Sequence, residues 1–457
     1  TGGGGGLSLT AGNDLNIDAN IAGAARVTNI NLNATAGSIN VAGGVSIESG
    51  GGNIVLAANA ASQVVTVAGS ASVNSAIGKI IISGDTVIIS GITSTNSDDD
   101  AISITSNTDI QDNGSGADVT AVNGGVVLVA NTGIHDTTGL LSFDVNAAKI
   151  DATNSVSGAI NLDVKNGSEI IDLDSVGDFT LVTNAGNNDV SISNITAIGG
   201  AIDMTVGGTL TIPDTGLTSS ITLTINVADI VDSVGSVSLG GTVADITLGN
   251  ITGGRVISSS FDSVSLTSTG SDTISINDSN ALVITDINAT DNVSITSSAG
   301  AAGIVINGFT ASQGLTITAN AGVSIADGVL VDAGSGDINI TAFTNDISVT
   351  GLKTTSSSST AITLFASGSI TDSGASNIDI SAVNGGIKLT SDTGMDDLEI
   401  QVASLDATNN ISGNIVINEV DDLSITQLSN AGDITVNTSG NLSLDSNLDL
   451  NGMDGST

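Results

Sequence analysis

The chain has 457 residues, with 58 Gly, 6 Phe, 1 Pro, 1 His and no Cys, Trp or Tyr, and its 47 acids against 7 bases give a net charge of −40. Such a polyanion excludes nucleic acid and anionic membrane as partners, and favours solubility and attraction of divalent cations. The 40% apolar content is nearly all Val, Ile, Leu and Ala, which excludes a disordered acidic tail and predicts a thin core, because wide cores are filled with aromatics.

Residues 1–6 read as a Gly-rich opening segment, TGGGGG, with no starting Met and no signal sequence, as expected of a mature product or a piece of a longer chain. The Gly run is not a phosphate loop, since no Lys-Ser/Thr follows it. No apolar run approaches the roughly 18 residues of a membrane span. The lack of Cys and the single Pro suit a long exported chain that folds outside the cell.

From Leu7 onward, short alternating runs recur: LSLT at 7–10, LNID at 15–18, INLN at 30–33, VSIE at 45–48, ISIT at 102–105, LTIT at 315–318, INIT at 338–341, IDIS at 378–381 and LSLD at 442–445. Period-2 alternation of β-branched and small polar residues predicts half-buried strands. Gly, Asn, Asp and Ser between the runs predict turns, and no helical periodicity with caps is present. Comparable strands return every 20–25 residues, as from Ile102 to Val126 and from Ile362 to Ile387. That spacing is one coil of a β-solenoid. The expected fold is therefore all-β, an elongated parallel β-solenoid, right-handed by the general crossover preference. Some twenty coils stacked at about 4.8 Å predict a rod on the order of 100 Å.

The chain also matches itself at a shift of roughly 260 residues. INLNATAG at 30–37 matches VSITSSAG at 293–300, AVNGG at 121–125 recurs at 382–386, and IDATNSVSGAI at 150–160 recurs as LDATNNISGNI at 405–415. This predicts a first repeat unit over 7–260 and a second, shorter one over 261–457. Six Asn-Gly pairs, beginning at Asn113, Asn123, Asn166, Asn307, Asn384 and Asn451, suit either hairpins or solenoid corners, and the coil spacing favours corners.

The duplication weighs each candidate site. His135 matches Asp396, so a hydrolase built on His135, Asp136 and a Ser would exist in one copy alone, and His135 is expected in a solvated corner. Lys79 matches Asp337, Lys149 matches Ser404 and Lys388 matches Val127, while Arg26 and Arg255 lie far apart. With no Trp or Tyr platform, a carbohydrate-active β-helix enzyme is disfavoured. No catalytic, cofactor-binding or metal residue is assigned and no enzyme is expected. Asp98, Asp99 and Asp100 have the hard oxygens that calcium takes, but Ser358, Ser359 and Thr360 replace them in the second copy, so a solvated loop is expected. Asp112, Asp136, Asp151 and Asp178 recur as Asp372, Asp397, Asp406 and Asp433, a pattern expected of corner residues. No calcium-roll motif is present, so calcium has no specific motif behind it. The Thr-x-Thr pairs Thr209/Thr211 and Thr222/Thr224 are too scattered to predict an ice-binding face.

The segments VSIESGGGNIVLAANAA at 45–61, LDATNNISGNIVIN at 405–418 and AGDITVNTSGNLSLD at 431–445 resemble the repeat regions of filamentous-haemagglutinin-like exoproteins and giant bacterial adhesins. The resemblance covers nearly the whole chain. It implies a right-handed parallel β-helix exported by a Gram-negative cell, with stalk or fibre as its role. The expected function is a non-catalytic structural or adhesive surface fibre, extracellular or at the cell surface. Its partners would be further copies of itself or a host or neighbouring cell surface. The alternative is a self-assembling subunit of an extracellular filament, sheath or surface layer.

Overall fold

A computed structural model describes residues 5–445, apart from 24–27, 59, 115, 138–141, 184–187, 198–199, 214, 220, 232–236, 250–254, 271, 299–302, 312 and 375–377. Among the described residues there is no helix, and the strand pairings are parallel. The chain divides into two compact units, Thr1–Ser233 and Val234–Thr457. Each is a parallel β-solenoid of stacked coils, about 18 turns in total.

The coils stack in register because the alternation places one apolar residue over the next. In the first unit Ile30, Ile54, Ile80, Ile102, Val126, Ile150 and Ile170 form one continuous ladder. All seven are essentially inaccessible. In the second unit the corresponding ladder runs through Ile274, Val293, Leu315, Ile338, Ile362, Ile387, Leu405 and Ile425. Full burial of each such side chain stabilises by about 1.5–3 kcal/mol. A register slip of one residue would turn a whole ladder outward. The core is almost wholly aliphatic, with Phe143, Phe179 and Phe261 fully buried in it.

The pairings of Ile102 with Val126 and of Ile362 with Ile387 are direct coil-to-coil neighbours. The duplication is also structural. Strands Val119–Ala130 and Ile380–Ser391 have the same alternation of inward and outward residues, and each shifts register between its Ala and its second Gly, at Ala121/Gly125 and Ala382/Gly386. These shifts are the corners of the AVNGG segment. A Cβ on Gly125 would lie 1.9 Å from the Asp99 carbonyl oxygen, and one on Gly386 would lie 2.3 Å from that of Ser359. Only glycine lets the two backbones approach so closely. The Asn-Gly pairs thus turn corners, not hairpins. Those beginning at Asn123 and Asn384 sit inside these bent strands, and those at Asn113, Asn166 and Asn307 lie between strands. Asn451, Arg26 and the first four residues of the Gly-rich opening lie outside the described residues.

Candidate functional site

The acids that recur in sequence are less uniform than corner residues. Asp112 ends strand Asp109–Asp112 and is buried, as is Asp136 at the end of Gly133–Asp136. Asp151 lies within strand Phe143–Asn154. Asp178 does turn a corner, where its Oδ1 accepts the Ala201 N–H at 2.8 Å. His135 is in a strand and half-buried, with Nδ1 2.5 Å from the Asp136 carbonyl oxygen. It is therefore not the solvated corner residue that its sequence context suggests.

The lysines are taken up by acids on their own coil or one or two coils away. Lys79 pairs with Asp98 at 3.1 Å and Asp100 at 2.5 Å, and Lys149 pairs with Asp99 at 2.9 Å. The acidic run is thus an exposed loop, as expected, and is tied to two lysines by ion pairs. Its counterpart in the second copy replaces charge with hydroxyls, and Ser356 donates to Asp337, the residue matching Lys79, at 2.5 Å. Lys353 pairs with Asp332 and Lys388 with Asp406. The Thr-x-Thr pairs do not stack, for Thr209 and Thr211 lie beside Asp229 and Val231, and Thr224 beside Asp203.

One cluster was not singled out in the sequence. Asp118 is fully buried immediately before Val119–Ala130. Its N–H donates to the Asp144 carbonyl at 3.1 Å, and its Oδ2 accepts the Asp144 N–H at 3.0 Å. Asp112 lies against it. Burial pushes the Asp118 carboxyl up to about 9, with the neighbouring Asp112 adding to the effect. Burial also raises Asp144, while Lys165 pulls it back. The Lys165 ammonium sits among these acids, 3.0 Å from Asp144 and 2.8 Å from Asp163. A cleft of about 320 Å³ opens over Asp112, Gly114, Asp144 and Lys165.

The second copy rebuilds the cluster from Asp372, Asp379 and Glu399. Asp379 is buried, donates its N–H to the Glu399 carbonyl at 2.7 Å and accepts the Glu399 N–H at 2.8 Å. One carboxylate oxygen from each of the three acids lies within 4.8 Å of the other two. Burial pushes Asp379 up to about 8, with the charges of Asp372 and Glu399 acting in the same direction. Asp163 and Lys165 are matched here by Asn418 and Val420. Asn418 donates to Glu399 at 3.2 Å, and no ammonium stands among these acids in the ion pairs of the described residues.

Grooves of about 340 and 280 Å³ in the second unit each hold one acid, Asp346 and Asp337. Both already accept hydroxyl hydrogen bonds, from Ser369 and Ser356. No protein family, curated protein or solved structure matches the chain.

Proposed function

We propose that the chain is a non-catalytic structural stalk of an extracellular surface fibre, of the kind carried by filamentous-haemagglutinin-like exoproteins. The observation that supports this reading is the in-register stacking of parallel coils within each unit, repeated by internal duplication. Within each unit the described coils are hydrogen-bonded to their neighbours along the stacking direction, so length is added without redesigning the core. The chemistry of the surface supports the same role. Outward positions are rich in Ser, Thr, Asn and Asp, with scattered apolar residues such as Ile77 and Ile411 among them, and the lysines are held in ion pairs. The partners of such a stalk are further copies of the fibre protein or the surface of another cell.

Immunogold labelling of intact and permeabilised cells of the source organism tests this reading. Label on fibres projecting from intact cells is expected. Label reached only after permeabilisation would overturn it, and label on continuous sheaths or sheets would favour the self-assembling layer.

A further inference from the structure

The two copies of the buried carboxylate cluster differ in how their charge is balanced. In the first copy, Lys165 lies between Asp144 and Asp163. In the second copy the matching positions are Asn418 and Val420, so the ammonium and one acid are both gone, and the exposed Asp327 occupies the place of Gly69. Asp372 and Glu399 gather around the buried Asp379 with no ammonium among them in the ion pairs of the described residues. Like charges around a buried carboxyl without a counter-ion are unfavourable.

A second feature lies at the same place. Thr350, which matches Ser90, is 4% exposed, and its Oγ1 has no hydrogen-bond partner. This hydroxyl would stand 2.8 Å from a Cβ on Gly374, and the Asp327 Oδ1 would stand 2.7 Å from it. Gly374 in turn donates its N–H to the Asp372 Oδ1 at 2.6 Å. The corresponding Gly114 has both the Ser90 hydroxyl and the Asp118 Oδ1 against it. The orphan hydroxyl of Thr350 thus lies at the Gly374 corner, whose N–H is held by Asp372, one of the three acids. A buried hydroxyl without a partner is disfavoured unless something binds it.

From this geometry we infer that Asp372, Asp379 and Glu399 form a divalent-cation site, with the Thr350 hydroxyl beside it, and that calcium is the ion it takes. Hard carboxylate and hydroxyl oxygens suit calcium or magnesium and not a soft metal. Magnesium demands near-ideal octahedral geometry and gives up its water reluctantly, whereas calcium accepts irregular sets of oxygens. Three acids from two coils, with one oxygen from each inside 4.8 Å of the others, are such an irregular set. The site does for the second copy what Lys165 does for the first: it places positive charge among acids from neighbouring coils.

The test is calorimetric titration of the intact chain with calcium chloride after treatment with a chelator. Titration of magnesium chloride serves as the comparison. A net charge of −40 gives diffuse binding of either ion, so the discriminating result is one saturable site above that background. A Kd in the range of about 10⁻⁴–10⁻³ M is expected, as for extracellular calcium modules, with weaker binding of magnesium. Asp372→Asn should weaken the site at least tenfold. Val420→Lys restores the ammonium of the first copy. It should abolish the saturable site while leaving the melting temperature in chelator at or above that of the parent chain. Asp118→Asn, in the first copy, should leave the calcium isotherm unchanged. Diffuse binding alone, or a saturable site that survives both Asp372→Asn and Val420→Lys, would overturn the inference.

Discussion

The Asp379 carboxylate accepts the backbone N–H of Glu399 at 2.8 Å and so clamps one coil to the next through a buried acid. Asp118 makes the same bond to Asp144 at 3.0 Å in the first copy. Both acids also exchange a main-chain hydrogen bond with the same partner. A corner residue merely exposed to solvent has no need of this geometry.

Because burial and Asp112 push Asp118 up to about 9, its carboxyl is protonated at neutral pH. An amide of the same shape should replace it. Asp118→Asn is expected to move the stability at pH 7 by less than about 1 kcal/mol. Asp118→Ala leaves the Asp144 N–H unsatisfied and should cost about 1–3 kcal/mol. Urea denaturation of the two variants checks the difference.

Stability should fall as the solution becomes alkaline. Burial raises Glu419 to about 7, although the N–H groups of Asp421 and Val402 favour its charged form. Its folded pKa lies above its unfolded one, so the folded state holds a proton that the unfolded state has released. Its stabilising contribution is full below about pH 4, where both states are protonated, and is lost as pH rises through 7. Asp118 extends the loss towards 9. Urea midpoints at pH 5, 7 and 9 in chelator should decrease in that order. Glu419→Gln should flatten the slope between pH 5 and 7.

The corner glycines should tolerate no side chain. A Cβ on Gly125 would collide with the Asp99 carbonyl, so Gly125→Ala should cost about 1–3 kcal/mol or more through overpacking. Gly12 has open space around its missing Cβ, and Gly12→Ala should be neutral or slightly stabilising. Thermal melts of the pair separate the corner effect from loss of glycine as such.

The copies also balance a second acid differently. Lys388 pairs with Asp406 at 2.8 Å, while the matching first-copy position, Val127, lies beside Asp151. Asp151 is raised by burial and then by Asp172 and Asp174. Val127→Lys should stabilise the chain by about 0.2–1 kcal/mol, the range for partly exposed pairs. The gain should shrink in 1 M salt, which a salt series of melts would show.

The fold was legible in the sequence because strand and coil repeat at short range. The alternation of ISIT at 102–105 and the return to Val126 contain the register directly. The buried cluster was hidden for a physical reason. Its members come from two coils, and Asp112, Asp118 and Asp144 match Asp372, Asp379 and Glu399 at shifts of roughly 260, 261 and 255 residues. The last match also changes Asp to Glu. Only the Asp112–Asp372 recurrence stood out, and recurrence cannot distinguish a buried acid from a corner one. Following Asp118 and Asp144 through the same duplication would have supplied the remaining signal. The lysine pairings were equally invisible, since Lys149 and Asp99 are 50 residues apart.

The in-register stacking of parallel coils is the claim on which everything else rests, and paired cysteines test it most directly. The chain has no Cys, so introduced thiols have no competitors. Thr316 lies directly beside Asn339, and Asn339 beside Thr363, on outward positions of three successive coils. Neighbouring strands are about 4.8 Å apart, within reach of a disulfide, whereas two coils span about 9.6 Å, beyond the ~7 Å limit. Under mild oxidation, Thr316→Cys with Asn339→Cys should form an intramolecular disulfide rapidly and nearly completely, and Thr316→Cys with Thr363→Cys should not. Failure of the first pair to close, or equal closure of both, would contradict the stacked solenoid.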